Sequence, residues 1–345
     1  MNLRELESVA SAMTAPGKGI LAADESSGTI KKRFDAVGVE STEDARRAYR
    51  GLLFTTAGLG EFISGVILFD ETLRQQTDDG VPFAEVLQRQ GILPGIKVDK
   101  GAKALAGYPG ETVTEGLDGL RERLEEYRGL GARFAKWRAV IHVGDGIPTP
   151  FGTEANAHAL ARYATLCQEA DLVPIVEPEV LMDGDHTLAR CEEVTSLVLA
   201  SVFDQLTKHR LHLEGMVLKP NMVISGLACP QQASAEEIAE ATVRCFRRHV
   251  PAAVPGIAFL SGGQSESQAT ANLNALNRIE GLPWQLSFSF GRALQQTALA
   301  TWGGQPANAA KAQEALLHRA HLNGLARRGT YESGLEQSGV PVTQA

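Results

Sequence analysis

The chain has 345 residues, 43% hydrophobic and 21% charged, with a formal charge of −8 at pH 7. That length supports a large core and is long for one domain unless the domain is a barrel. The acidic balance argues against binding nucleic acid or a membrane surface, so any anionic ligand must be held by locally clustered cations.

In chain order, Met1 to Gly17 lacks the basic-then-apolar order of a signal peptide. It reads as a short helix with Leu3, Leu6, Val9, Ala10 and Met13 on one side, ended by Ala15-Pro16-Gly17. Short apolar strands then alternate with helical stretches. The strands are expected at Gly19–Asp24, Ile63–Phe69, Gly95–Asp99, Phe134–Ile141, Leu172–Glu177, Met216–Lys219, Ile257–Leu260 and Gln285–Phe290. Helical patterns include Thr42–Ala57, Gly116–Leu130, Glu154–Glu169, Cys191–His209 and Ala235–His249. This rhythm predicts a single α/β domain over residues 1–345, a closed (β/α)8 TIM barrel with an N-terminal helix. An open dinucleotide-binding sheet loses its main support, because no G-x-G-x-x-G opens a helix after the first strand. Ala307–Leu325 reads as a final helix, and a mobile tail is expected from about residue 327 to 345. No apolar run is long enough to span a bilayer. The four cysteines, Cys167, Cys191, Cys229 and Cys245, form no C-x-x-C pair. They read as free thiols in a reducing cytoplasm.

Chemistry in such a barrel gathers at the C-terminal strand ends. Those ends carry Asp24, Lys97 with Asp99, Lys136 with Arg138, Glu177 with Glu179, Lys219, Ser261, and Ser289 with Gly291-Arg292. Pairs two residues apart share one face of a strand. Charged tips of both signs on nearly every strand are hard to explain as solvated loop ends and point to an active site. Lys219 ends the apolar run Gly215-Met-Val-Leu, and Pro220 stops it continuing as a helix. Desolvation and neighbouring lysines are expected to lower a lysine pKa there, giving an amine able to attack a carbonyl. Nearby carboxylates can shuttle the protons that carbinolamine formation and dehydration require. Lysine with paired carboxylates is equipment for Schiff-base chemistry on a ketone, with Lys219, Lys136 and Lys97 all eligible at this point.

Leu260-Ser-Gly-Gly-Gln-Ser265 and Phe290-Gly-Arg292 place glycines after the last two strands, where exposed N–H groups can cradle an anion. The guanidinium of Arg292 adds charge-assisted bonds. Ser26-Ser-Gly-Thr29, followed by Lys31-Lys-Arg33, offers hydroxyls and cations after the first strand, or equally a helix N-cap with a solvated basic turn. Zinc can serve the same reaction class. His209 with His212, and His318 with His321, sit at i, i+3 but lack companion ligands, and His186 lies in an acidic turn. No metal site and no cofactor are expected.

Gly17-Lys-Gly-Ile-Leu-Ala-Ala-Asp-Glu-Ser26, Gly95-Ile-Lys-Val-Asp-Lys-Gly101, Phe134-Ala-Lys-Trp-Arg138, Val176-Glu-Pro-Glu179, Leu218-Lys-Pro-Asn-Met222, Leu260-Ser-Gly-Gly-Gln-Ser265 and Gly291-Arg-Ala-Leu294 resemble the class I fructose-bisphosphate aldolases. The resemblance runs in order from about Gly17 to about Tyr331. It implies Lys219 as the Schiff-base lysine, Glu177 as the acid and base at the carbinolamine, and Asp24 as acceptor of the hydroxyl proton during carbon–carbon cleavage. Lys136 and Glu179 match the supporting pair and Arg138 a substrate-side cation. Ser261, Gly262, Gly291 and Arg292 match one phosphate cradle; Ser26, Thr29 and Lys97 match the other, with Arg33 near it.

The resemblance further implies a cytoplasmic, metal-independent enzyme of glycolysis and gluconeogenesis. Its partners would be sugar phosphates, without nucleic acid or membrane, in a homo-oligomer that is commonly a tetramer. Animal members end in a tyrosine thought to help protonate the enamine, whereas this sequence reads Val340-Pro-Val-Thr-Gln-Ala345. Tyr331 matches an earlier position and is not assigned that role, so protonation is expected to be slower or to use another group. Two other readings stay open: another lysine-dependent barrel aldolase, and a non-catalytic sugar-phosphate-binding or scaffold protein on this fold.

Overall fold

In the computed structural model, which describes residues 1–337, the short apolar runs become parallel strands of one barrel. The strands are β1 (Gly19–Ala23), β2 (Ile63–Leu68), β3 (Leu93–Lys97), β4 (Ala102–Ala104), β5 (Thr112–Thr114), β6 (Phe134–Ile141), β7 (Val173–Val180), β8 (Val217–Leu218), β9 (Gly256–Phe259) and β10 (Gln285–Phe290). The closed order is β1-β10-β9-β8-β7-β6-β3-β2, while β4 and β5 form a separate antiparallel hairpin in the loop after β3.

Alternation along each strand divides the core in two. Outward residues such as Leu21, Val66, Ile96, Trp137, Val176, Leu218, Phe259 and Phe290 pack under the surrounding helices. Inward residues Ile20, Ala22, Ile67, Phe134, Val173, Ile175, Val217 and Ala258 fill the lower barrel. The helix Leu3–Met13 joins this inner cluster through Leu6, Ala10 and Met13, so it plugs the end opposite the chemistry. Of the apolar side expected for that helix, Leu3 stays exposed. The Phe134 ring fits because β3 presents Gly95 beside it; a Cβ there would stand 2.2 Å from Phe134 Cε2.

The expected helices appear at Glu43–Phe54, Leu120–Gly129, Pro150–Glu169, Leu188–Lys208, Ala235–His249 and Ala309–Ala326. Ser27–Asp35 takes the helical alternative offered after the first strand, and others are additional to the sequence reading: Asp70–Leu73, Phe83–Arg89, Glu266–Asn277 and Arg292–Trp302. Glu266–Asn277 is rich in asparagine, a poor helix former. Its burial of Ala269, Leu273 and Leu276 shows tertiary packing overriding propensity. β7 runs on to Val180 instead of stopping at Glu177, passing through Pro178, which stands opposite Ala139 of β6.

The chain expected as a mobile tail is packed at its start. Arg327 is buried, and its guanidinium donates to Lys18 O and Thr14 O at 3.0 Å, to Ala15 O at 3.2 Å, and to Leu286 O. Tyr331 is also buried, and a short turn follows at Ser333–Gln337. Residues 338–345 of that tail lie outside the described residues. Among the described residues, no helix is long and apolar enough to cross a membrane.

Candidate active site

Lys219 follows Leu218 at the upper end of β8, and its backbone N–H still donates to Val176 O of β7 at 2.8 Å before Pro220 ends the ladder. Its Nζ lies 3.2 Å from Glu177 Oε1, and both side chains are 4% exposed. The other oxygen, Glu177 Oε2, lies 3.4 Å from Lys136 Nζ, which in turn lies 2.6 Å from Asp24 Oδ2. Asp24, Lys136, Glu177 and Lys219 therefore form one row of alternating charge across β1, β6, β7 and β8. Parity explains the row. On β6 the inward sequence is Phe134, Lys136, Arg138, and on β7 it is Val173, Ile175, Glu177, Glu179, apolar below and charged above.

Carboxylates stand on both sides of Lys136. Burial alone lowers the pKa of Lys136, but the Asp24, Glu177 and Asp99 carboxylates outweigh it and hold the ammonium protonated, well above the ordinary lysine range. At Lys136 the expected lowering by converging lysines is overturned, because its nearest charges are carboxylates. Burial raises the Asp24 pKa, yet Lys136, Lys219 and Lys97 together hold it well below the usual carboxylate range. Glu177 follows the same pattern, raised by burial and lowered further by Lys136, Lys219 and Arg138.

Flanking residues brace this row. Arg138 pairs with Glu179 through Nε, and its backbone N–H donates to Asp99 Oδ2 at 3.3 Å. Lys97 Nζ lies 3.6 Å from Asp99 Oδ1. The hydroxyls of Ser26 and Thr29 lie 3.2 Å apart at the start of Ser27–Asp35. Ser26 occupies the N-cap position there, but its side chain does not cap the helix.

After β9, Ser261 and Gly262 turn the chain toward the row, with Leu260 N–H bonded to Pro220 O at 3.1 Å. Gly262 sits at φ +46°, and a Cβ there would stand 1.8 Å from Met182 Cε. After β10, Gly291 starts the helix Arg292–Trp302 without a side-chain cap, leaving first-turn N–H groups open to an anion. Arg292 reaches back over the β9 loop, its Nη2 lying 3.6 Å from the point where a Cβ on Gly263 would stand. Arg33 extends to the same side, 3.7 Å from the corresponding point on Gly291. Ser289 Oγ, inside the barrel on β10, is buried with no hydrogen-bond partner among the described residues.

Glu25, Arg50 and Gln295, absent from the sequence reading, form a buried network beneath Arg33. Three of the histidines weighed as zinc ligands have other partners. His209 Nδ1 is 2.8 Å from Gln205 O, His212 Nε2 is 2.7 Å from Glu7 Oε1, and His321 packs on Phe62. Tyr331 donates to Glu336 Oε1 at 2.7 Å; burial and that bond push its pKa up to about 12.

The family model "Fructose-bisphosphate aldolase class-I" matches residues 5–343. A "Probable fructose-bisphosphate aldolase class 1" of Xanthomonas campestris pv. campestris is 60% identical over 96% of this chain and 100% of its own length. "Fructose-bisphosphate aldolase C" of Rattus norvegicus is 55% identical over 95% of this chain and 91% of its own. A solved aldolase of Plasmodium falciparum, in complex with TRAP and a small-molecule inhibitor, is 51% identical over 96% of each chain, with a TM-score of 0.95. With the motifs, the barrel and the charged row on one chain, the protein belongs to the class I fructose-bisphosphate aldolases.

Proposed function

We propose that the protein reversibly cleaves fructose 1,6-bisphosphate to dihydroxyacetone phosphate and glyceraldehyde 3-phosphate through a Schiff base on Lys219. The observation that carries this is the row Asp24–Lys136–Glu177–Lys219, set above an apolar floor between two anion-suited rims. Lys136 is fixed as an ammonium by two carboxylates, so it is a poor nucleophile. Lys219 faces one carboxylate and is the amine available to attack.

In the cleavage direction, Lys219 first gives a proton to the adjoining Glu177 carboxylate; the neutral Nζ adds to the ketone carbonyl, and Glu177 returns that proton to the carbinolamine oxygen, which leaves as water. The protonated imine then draws the electron pair of the bond between the third and fourth carbons, while Asp24 takes the proton of the adjoining hydroxyl. The aldehyde departs, and the enamine on Lys219 is protonated and hydrolysed to release the ketone. Lys136, supported by Arg138 and Glu179, keeps Asp24 and Glu177 close and, before substrate enters, ionised. Ser261, Gly262, Gly291 and Arg292, with Arg33 and Ser289, receive the ketone-side phosphate. Ser26, Thr29 and Lys97 receive the other, and two fixed ends hold the scissile bond beside Asp24. The reading extends to one domain, a cytoplasmic, metal-independent enzyme of glycolysis and gluconeogenesis, and a homotetramer.

Incubation with dihydroxyacetone phosphate, borohydride reduction and peptide mapping test the assignment. A single adduct on Lys219, unchanged by chelator, is expected. Lys219→Met should abolish the adduct and lower kcat by roughly 10³-fold or more. An adduct on Lys136 or Lys97 overturns the residue assignment, and chelator-sensitive activity without an adduct overturns the mechanism.

A further inference from the structure

Glu25 lies next to Asp24 in sequence but faces away from the charged row. Its buried carboxylate takes Arg33 Nη1 on one oxygen and Arg50 Nη2 on the other. Gln295 Nε2 also donates to Glu25 Oε1 at 3.1 Å and to Ala22 O at 2.8 Å, and Tyr49 donates to Gln295 Oε1 at 3.2 Å. Burial raises the Glu25 pKa, but Arg50 and Arg33 outweigh it and keep the carboxylate ionised. The network ties the loop after β1 to Arg292–Trp302, the helix whose first turn borders the anion-suited rim.

The charge count is the informative part. Arg33 and Glu25 alone would close into a neutral pair, leaving Arg33 little net attraction for a dianionic group. Arg50 is 2% exposed, and its Nη1 has no hydrogen-bond partner among the described residues. It adds a second cation to one carboxylate, so the trio carries a surplus positive charge in a poorly solvated place. Arg33 extends from the trio toward Gly291, its Nη2 3.7 Å from the point where a Cβ there would stand.

We infer that Arg50 and Glu25 are positioning residues for phosphate recognition. Glu25 fixes the direction of Arg33, and Arg50, buried behind it, supplies the charge surplus felt by the ketone-side phosphate. The pair acts on binding through Arg33 and takes no part in bond making or breaking. This rests on the aldolase reading above.

The test compares wild type with Arg50→Gln, which keeps a hydrogen bond to Glu25 without the charge, and Arg50→Lys, which keeps the charge. For Arg50→Gln, KM for fructose 1,6-bisphosphate should rise about tenfold with kcat within about threefold, a loss of ground-state binding. Borohydride trapping at Lys219 should need about tenfold more dihydroxyacetone phosphate, while trapping of unphosphorylated dihydroxyacetone stays as in wild type. Arg50→Lys should bring KM back to within about threefold of wild type. If Arg50→Gln does not fold, Arg50→Met is read by the same criteria. Equal losses for the phosphorylated and unphosphorylated ketones, unchanged KM in a folded variant, or no rescue by lysine each overturn the inference. A wild-type protein that forms no adduct at Lys219 defeats the aldolase reading instead, so the two failures are distinguishable.

Discussion

Lys136 stands between two buried carboxylates, and its absence would be felt as proton affinity before it was felt as shape. Lys136→Met would leave Asp24 and Glu177 buried close together without the cation between them, and both carboxyls would rise. The acid limb of the kcat/KM profile should then move up by about one pH unit or more. Stability carries the same sign. Asp24 and Glu177 are depressed in the folded state, so they stabilise it above the ordinary carboxylate range and lose that contribution as pH falls through their folded pKa values. Lys136→Met should weaken this acid-sensitive contribution, seen as a flatter stability–pH curve below about pH 4.5. An unchanged acid limb would mean that the row does not set the working protonation states.

The loops after β9 and β10 act as rigid pieces, because their backbone conformations leave little room for side chains. Gly262→Ala places a Cβ against Met182 and Leu260 at a left-handed φ. It should cost about 1–2 kcal/mol in a urea titration and raise KM for the bisphosphate more than it lowers kcat. At this scale much was legible in the sequence: the eight barrel strands, their charged tips and the two glycine segments all follow from local pattern. What escaped has physical reasons. β7 continued past Pro178 because its ladder neighbours hold it there. The helix at residues 266–277 relies on packing more than on propensity. Glu25 escaped because its meaning lies in Arg33 and Arg50, eight and 25 residues away, which meet it only after the helices fold back on the barrel.

Across the molecule, the N-terminal helix and the segment after the last long helix meet at the lower rim of the barrel. Arg327, after the last long helix, binds carbonyls at the end of Leu3–Met13, before β1 and within β10, so one side chain locks the β1–β10 seam. Burial pushes its pKa down to about 10, and the carbonyl bonds keep it a guanidinium at neutral pH. Arg327→Met would strand several carbonyls and should cost about 3 kcal/mol or more by chemical denaturation, with KM little changed. A negligible loss would show that the seam closes without it. The plug formed by Leu6, Ala10 and Met13 at this end also governs traffic. A vessel sealed below has a single doorway, so substrate, both products and the water that frees the ketone all cross the same rim. Arrival and departure become a queue, and in the proposed mechanism the fragment held on Lys219 is last in line.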